Sequence, residues 1–205
     1  MSKQLSIKTN WDVVTLAEFV QIDQIIHADI PADYKAVNLL SVLSGEDVSF
    51  FENLPLNQFM KLTSCLDFIT TPLPEVKVGD SYVINGRKYM VRADIPSITT
   101  AQYVDYQNYM KEEHIDLQKV ISVFLIPEGH NYNDGYNMKE VIADIDDMRF
   151  VDAQALGFFI QKQSGLFIIV LKDYLSQKMK KMGIPKKKIE EDLQDLTRLA
   201  YFHMS

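Results

Sequence analysis

Apolar residues recur at intervals of three and four along most of this chain, which is the spacing of one buried face of an α-helix. The segment 33–44 shows this spacing and is followed by Gly45, a residue that can end a helix in the left-handed conformation. The segment 117–125 repeats the spacing most regularly and is closed by Pro127. The pattern predicts a mainly α, multi-helix protein.

The period changes to that of a β-hairpin in the middle of the chain. Two β-favouring runs, Ser81–Ile84 and Lys88–Val91, are joined by Asn85-Gly86-Arg87. Asn-Gly between such runs is the strongest short-range hairpin signal. A two-stranded hairpin is marginal alone, so it must lie against the helices or pair with another strand, of this chain or of another subunit. The sequence predicts a small β-hairpin insert near residues 81–92.

The chain is expected to form one helical domain with this insert and a separate C-terminal helix. We place the domain at residues 1–182 and the amphipathic C-terminal helix, an interaction element, at 183–205. No linker or internal repeat suggests a further boundary. The stretch 150–182 is read either as one long helix with a kink at Ser164-Gly165 or as two helices.

Composition and charge narrow the function classes. The 205 residues are 47% hydrophobic and 24% charged, which excludes collagen-like and intrinsically disordered chains. The net charge of −7 argues against a general nucleic-acid binder, since phosphates require a basic surface. Charge is uneven, because residues 1–177 carry −10 and residues 178–205 carry +3. The C-terminal segment is therefore the basic part of an acidic protein.

The N-terminal residues and the single cysteine predict that the protein is made in a reducing compartment. Met1–Lys8 lacks the apolar stretch of a secretory signal, and Ser2 stands where N-myristoylation needs glycine. Cys65 is the single cysteine, which excludes an intramolecular disulfide. The most apolar window, Leu156–Leu171, is interrupted by polar residues and glycine at 161–165, which leaves at most six consecutive apolar residues, too few to span a bilayer. We expect synthesis in the cytoplasm and no membrane partner.

Metal and covalent chemistry have no recognisable motif. None of the four histidines forms an i, i+4 pair or an HExxH arrangement, the usual helical zinc geometry: His27, His114, His130 and His203. The glycines are scattered and form no phosphate-binding loop. We therefore predict no catalytic residue, no metal and no cofactor, and a protein that is not an enzyme.

Two features keep an enzymatic alternative open. Asp144, Asp146 and Asp147, together with Asp152, could hold Mg²⁺ through carboxylate oxygens, although neighbours on a helix point in different directions, which favours a solvated face. Cys65 lies in an apolar helical segment far in sequence from any histidine, which favours a buried structural thiol over a nucleophile. The alternatives are a metal-dependent hydrolase or a thiol enzyme.

Two groups of residues are predicted to bind partners. Lysines crowd around Gly183-Ile184-Pro185 and could meet an acidic protein surface or DNA: Lys178, Lys180, Lys181, Lys186, Lys187 and Lys188. The alternative is a helix C-terminus whose dipole attracts cations. Three tyrosines recur every third residue on one predicted helix, which suits either a subunit contact or half-buried packing: Tyr103, Tyr106 and Tyr109.

Three segments in order resemble one family. They are Ile98–Tyr109, Phe124–Tyr136 and Leu156–Phe159, preceded by the hairpin Tyr82–Tyr89. Together they resemble small morphogenesis proteins of tailed bacteriophages, especially the crAss-like phages, over residues 10–175 and without the lysine-rich helix. The resemblance implies a non-enzymatic virion component of the neck, tail or packaged contents, or a tail assembly chaperone absent from the virion. It also implies other phage structural proteins as partners and a homo-oligomer or ring.

Overall fold

The computed structural model describes residues 5–111, 116–182 and 185–194, with side chains at all of these positions except 186 and 192. It is 64% helical and contains a small three-stranded antiparallel sheet, which confirms the predicted mainly α class with a hairpin insert. Chain contacts divide it into two compact units. The first comprises the described residues of Met1–Lys77, Ile84–Gly86 and Lys139–Ala155, and the second those of Val78–Val83, Arg87–Met138 and Leu156–Ser205.

Nine α-helices and three strands are formed by the described residues. The helices are α1 Leu16–His27, α2 Ala32–Ser44, α3 Val48–Glu52, α4 Leu56–Leu62, α5 Thr100–Tyr109, α6 Leu117–Phe124, α7 Met138–Asp146, α8 Phe150–Lys181 and α9 Lys186–Asp192. The strands are β1 Ser81–Ile84, β2 Arg87–Val91 and β3 Leu125–Pro127. Short 3-10 helices occupy Trp11–Val13, Thr63–Thr70 and Ile95–Ser97.

The first unit is built around α1 and α2, whose ends are fixed by local hydrogen bonds. Thr15 caps α1, because its Oγ1 accepts from the Glu18 N–H while Glu18 Oε2 accepts from the Thr15 N–H. Gly45 ends α2 with a φ of +70°, as the sequence predicts, and its N–H donates to the Ser41 carbonyl at 2.8 Å. These caps satisfy backbone groups that a helix end leaves without a partner.

Aromatic rings close the core of the first unit. Phe19 of α1 stacks on Phe150 with ring centroids 3.5 Å apart, and Trp11 packs edge-on against Phe68. Backbone hydrogen bonds join the same segments, since the Leu16 N–H donates to the Met148 carbonyl at 2.8 Å. These contacts hold the segment after α7 against the start of α1.

The predicted hairpin is present, and its additional strand comes from the same chain. The turn residues Asn85 and Gly86 have φ angles of +51° and +76°, the conformation that suits a two-residue hairpin loop. β3 pairs with β2 in antiparallel register, with Met90 opposite Ile126. Leu125 therefore belongs to a strand, although its spacing continues the apolar face of α6, because its extended backbone is paired opposite Val91.

Helix α8 runs without interruption through Ser164 and Gly165, so the stretch read as one helix or two is one helix of 32 residues. Its first residues belong to the first unit and those from Leu156 onward to the second. Within the predicted C-terminal helix the structure describes α9, in which Ile189 is buried. The predicted boundary at 183 lies outside the described residues, and the two-part division stays a prediction.

Candidate interaction surfaces

One face of α8 in the second unit leaves large apolar side chains exposed. Phe158 is 63% exposed, Val170 66% and Tyr174 59%. Together with Leu166, Ile169 and two charged residues, all of them exposed, they follow the helical spacing of three and four. They therefore share one side of the helix. We call the following set the α8 stripe: Phe158, Lys162, Leu166, Ile169, Val170, Asp173 and Tyr174.

The opposite side of the same helix is a core face. Ile160, Ser164 and Ile168 are each no more than 3% exposed. From Leu166 to Leu171, α8 is thus apolar on both its buried and its exposed sides. A helix that is hydrophobic all round is normally covered all round, inside a protein core, a subunit interface or a membrane.

By length and composition alone α8 could cross a membrane, contrary to the expectation from its interrupted apolar window, because the helix continues through residues 161–165. An 18-residue window within Phe150–Lys181 has a mean hydropathy of 1.3, and 28% of that window is buried inside the structure. The core helix of a soluble protein can have the same length and composition. The expectation of no membrane partner stays a prediction.

The three predicted contact tyrosines lie on α5 in different environments. Tyr106 is fully buried, with its ring edge-on to Phe124 at a centroid distance of 5.3 Å. Tyr103 is half-buried, and its ring packs edge-on to Phe167 of α8. Burial raises the pKa of both phenols above the usual range. A partner could reach Tyr106 only if the packing around it opened.

Tyr109 is half-buried, with Lys119 Nζ lying 5.9 Å from its ring centroid. This distance suits a cation–π contact within the chain. Tyr109 therefore has a packing role of its own, and a subunit contact at Tyr103 and Tyr109 stays a prediction.

The predicted lysines extend from the end of α8 into α9. The last turn of α8 carries Lys178, Lys180 and Lys181, all exposed, where cations favour the negative end of the helix dipole. Lys187 and Lys188 are exposed on α9, and Lys187 lies 4.0 Å from Glu191 in a solvent-exposed ion pair. The Lys186 side chain lies outside those described. Both the dipole and the partner hypotheses fit this placement.

A cavity of about 590 Å³ in the second unit was not predicted from the sequence. Its wall combines residues that follow β2 and β3 with the start of α5: Arg92, Asp94, Thr99, Gln102, His130 and Tyr132. The volume lies in the range of small-molecule sites. No local motif marks it, because strand pairing brings together residues about forty positions apart.

Hydrogen bonds fix two side chains in the wall of this cavity. The Gln102 amide donates to the Val123 carbonyl at 2.7 Å, and the Tyr132 hydroxyl donates to Asp105 Oδ2 at 2.6 Å. Burial raises the pKa of Tyr132 well above its usual range, and the hydrogen bond to the Asp105 carboxylate and its charge add to the effect. Tyr132 therefore stays protonated and cannot act as a base near neutral pH.

The acidic residues considered for Mg²⁺ are engaged in contacts of the first unit. The Asn85 amide donates to Asp144 Oδ1 at 3.1 Å and to Asp147 Oδ2 at 2.8 Å. Asp152 is buried and pairs with Arg149 Nε at 2.6 Å. Within residues 5–111, 116–182 and 185–194, no three His, Cys, Asp or Glu side chains are grouped so as to hold a metal ion.

Of the four histidines and the single cysteine, the structure describes His27, His130 and Cys65. His27 is exposed, with its Nδ1 2.9 Å from the Asp23 carbonyl, and His130 Nδ1 lies 2.8 Å from the Asp134 carbonyl. Cys65 is half-buried against the apolar cluster around Leu40. His114 and His203 lie outside the described residues.

Comparison of the chain with protein-family models, curated proteins and solved structures finds no match.

Proposed function

We propose that this chain is a non-enzymatic structural or assembly protein of a tailed phage, which acts through protein–protein contacts in the neck, tail or packaged contents of the virion. The observation that carries the proposal is the α8 stripe, a row of exposed apolar side chains on a helix whose other side is already core. Exposed apolar rows of this kind mark surfaces that another molecule covers. The phage setting comes from the family resemblance of the sequence.

The lysine-rich end of the chain supplies a second surface. Lys180, Lys181, Lys187 and Lys188 are exposed beside an otherwise acidic chain. A basic segment on an acidic protein suits a different partner from the one that covers the apolar stripe, either an acidic protein face or packaged DNA. Two surfaces of different chemistry are what a subunit needs to join unlike neighbours in a particle.

The contacts of the acidic residues support a structural rather than a catalytic role for them. Asp144 and Asp147 accept hydrogen bonds from the hairpin turn, and Asp152 pairs with Arg149. These contacts account for the three carboxylates without a metal. The wild-type chain should therefore show no hydrolytic activity that alanine substitution of Asp144, Asp146 and Asp147 abolishes.

Quantitative mass spectrometry of purified phage particles tests the proposal. The chain should occur at a fixed whole-number ratio to the portal protein, with the major capsid protein as an internal standard. Its absence from particles, combined with stoichiometric complexes with tail proteins in infected-cell lysate, would favour the tail assembly chaperone instead. Absence from both would contradict an assembly role.

A further inference from the structure

Lys162 and Asp173 are the two charged members of the α8 stripe, and they carry opposite charges. They lie eleven residues apart, which is three helical turns, so both project from the same side of α8. Both are exposed, and neither forms an ion pair within the part of the chain that the structure describes. Between them the stripe is apolar, with Leu166 nearer to Lys162 and Ile169 nearer to Asp173.

This order of side chains is complementary to itself when the helix is reversed. If a second α8 runs antiparallel, with the symmetry axis between Phe167 and Ile168, Lys162 of each copy faces Asp173 of the other. Leu166 then faces Ile169 and Val170. A twofold interface requires such reciprocity, because residue i meets residue j wherever j meets i.

We infer that the α8 stripe binds the same stripe of a second copy of this chain as an antiparallel helix pair. The inference rests on the proposed function in that it names one partner of the assembly protein, which is another copy of itself. Each pair buries an apolar centre formed by Leu166, Ile169 and Val170 and closes it with an ion pair at both ends.

A second copy fits the stripe better than a lipid bilayer does. Lipid tails would leave Lys162 and Asp173 without hydrogen-bonding partners, and a charged side chain at membrane depth is costly. The second copy supplies each charge with its opposite. Tyr174 would also lie beside Lys162 of the other copy, in reach of a cation–π contact.

A single helix pair buries less than the roughly 800 Å² per partner of a standard interface. Association is therefore expected to be weak, and the dimer fraction should rise with protein concentration. Opposite charges at the ends fix the register and the antiparallel direction more than they add affinity. The ion pairs are also expected to weaken at high salt.

Sedimentation velocity over a range of concentrations tests the pairing with the full chain. Lys162→Glu places two like-charge pairs in the interface, as does Asp173→Lys, and each should weaken dimerisation by about tenfold or more. The double variant restores opposite charges and should restore the dimer. Lys111→Glu makes the same change of charge at an exposed lysine outside α8 and should leave dimerisation unchanged, while circular dichroism reports that every variant is folded.

Three results would overturn the pairing. The first is a wild-type chain that stays monomeric at all concentrations, and the second is a double variant that dimerises no better than the singles. The third is a monomer that floats with phosphatidylcholine–phosphatidylglycerol vesicles, because the stripe would then bind lipid. A monomeric chain found at fixed ratio in particles would refute the pairing alone, whereas a charge-dependent dimer absent from particles and from lysate complexes would refute the proposed function alone.

Discussion

The hydroxyl of Tyr132 donates a hydrogen bond to Oδ2 of Asp105 at 2.6 Å, which joins the loop after β3 to helix α5. The bond spans 27 residues of sequence, so it forms only when the second unit is folded. Burial raises the pKa of this phenol, and the neighbouring carboxylate raises it further. Because of this pair, the free energy of unfolding should depend on pH in the alkaline range.

Raising the pH above about 10 should destabilise the folded chain. The unfolded chain then loses phenol protons that Tyr132 keeps in the folded state, so the unfolded state binds fewer protons and the free energy of unfolding falls as pH rises. Tyr132→Phe should reduce that slope by up to about one proton. Urea denaturation at a series of pH values measures it, with Tyr34→Phe as the control because Tyr34 is exposed. Equal slopes for wild type and Tyr132→Phe would refute the prediction.

Replacing Gln102 by Leu should lower the free energy of unfolding by about 1–3 kcal/mol. Gln102 is buried, and its amide donates to the carbonyl of Val123 in the last turn of α6, where helix carbonyls lack a partner within the helix. Leucine fills similar volume but leaves that carbonyl without this donor. Gln107→Leu, on the same helix and half-buried, is the matched control. A loss no greater than that of the control would show that the bond contributes nothing.

Two substitutions at the hairpin turn should separate conformation from hydrogen bonding. Gly86 has a φ of +76° and open space around it, so Gly86→Ala should cost about 1 kcal/mol through backbone strain. Asn85→Gly keeps the turn accessible but removes the amide that binds Asp144 and Asp147. Asn85→Gly should lower the free energy of unfolding by a comparable amount, which chemical denaturation measures. An Asn85→Gly chain as stable as wild type would mean that those two bonds do not fasten the turn.

Reversing the three lysines of α9 to Glu (Lys186, Lys187 and Lys188) should leave the chain folded and lower its copy number in particles. The basic segment is proposed to meet an acidic protein surface or DNA, which reversed charge would repel. Mass spectrometry of variant particles measures the copy number. The matched control reverses three exposed lysines elsewhere: Lys61, Lys77 and Lys111. Equal incorporation of both variants would show that the basic segment does not bind a partner in the particle.

Local signals predicted the hairpin and the helices, but the sequence did not indicate which sides of α5 and α8 are buried in the chain. Asn-Gly has one preferred turn, so Asn85 and Gly86 could be assigned from sequence alone. The three tyrosines of α5 share a spacing, yet Tyr106 is fully buried while Tyr103 and Tyr109 are half-buried. Spacing shows which residues share a helix face. Whether that face is buried depends on residues that are distant in the sequence.

The α8 stripe shows the same limit. The apolar window Leu156–Leu171 was visible in the sequence, but its two apolar sides could be told apart only once Ile160 and Ile168 were seen in the core and Val170 outside it. The cavity beside Tyr132 arises from strand pairing, which no local pattern specifies.

Spin-label distances across the dimer test the central claim most directly. Labels at single cysteines introduced by Phe158→Cys or Lys181→Cys, in a Cys65→Ser background, report the spacing between copies. At a rise of about 1.5 Å per residue, an antiparallel pair centred between Phe167 and Ile168 predicts about 30 Å at position 158 and about 40 Å at 181. A parallel pair would give about 10 Å at both positions. Short distances at both, or no distance between copies, would contradict the antiparallel α8 pair.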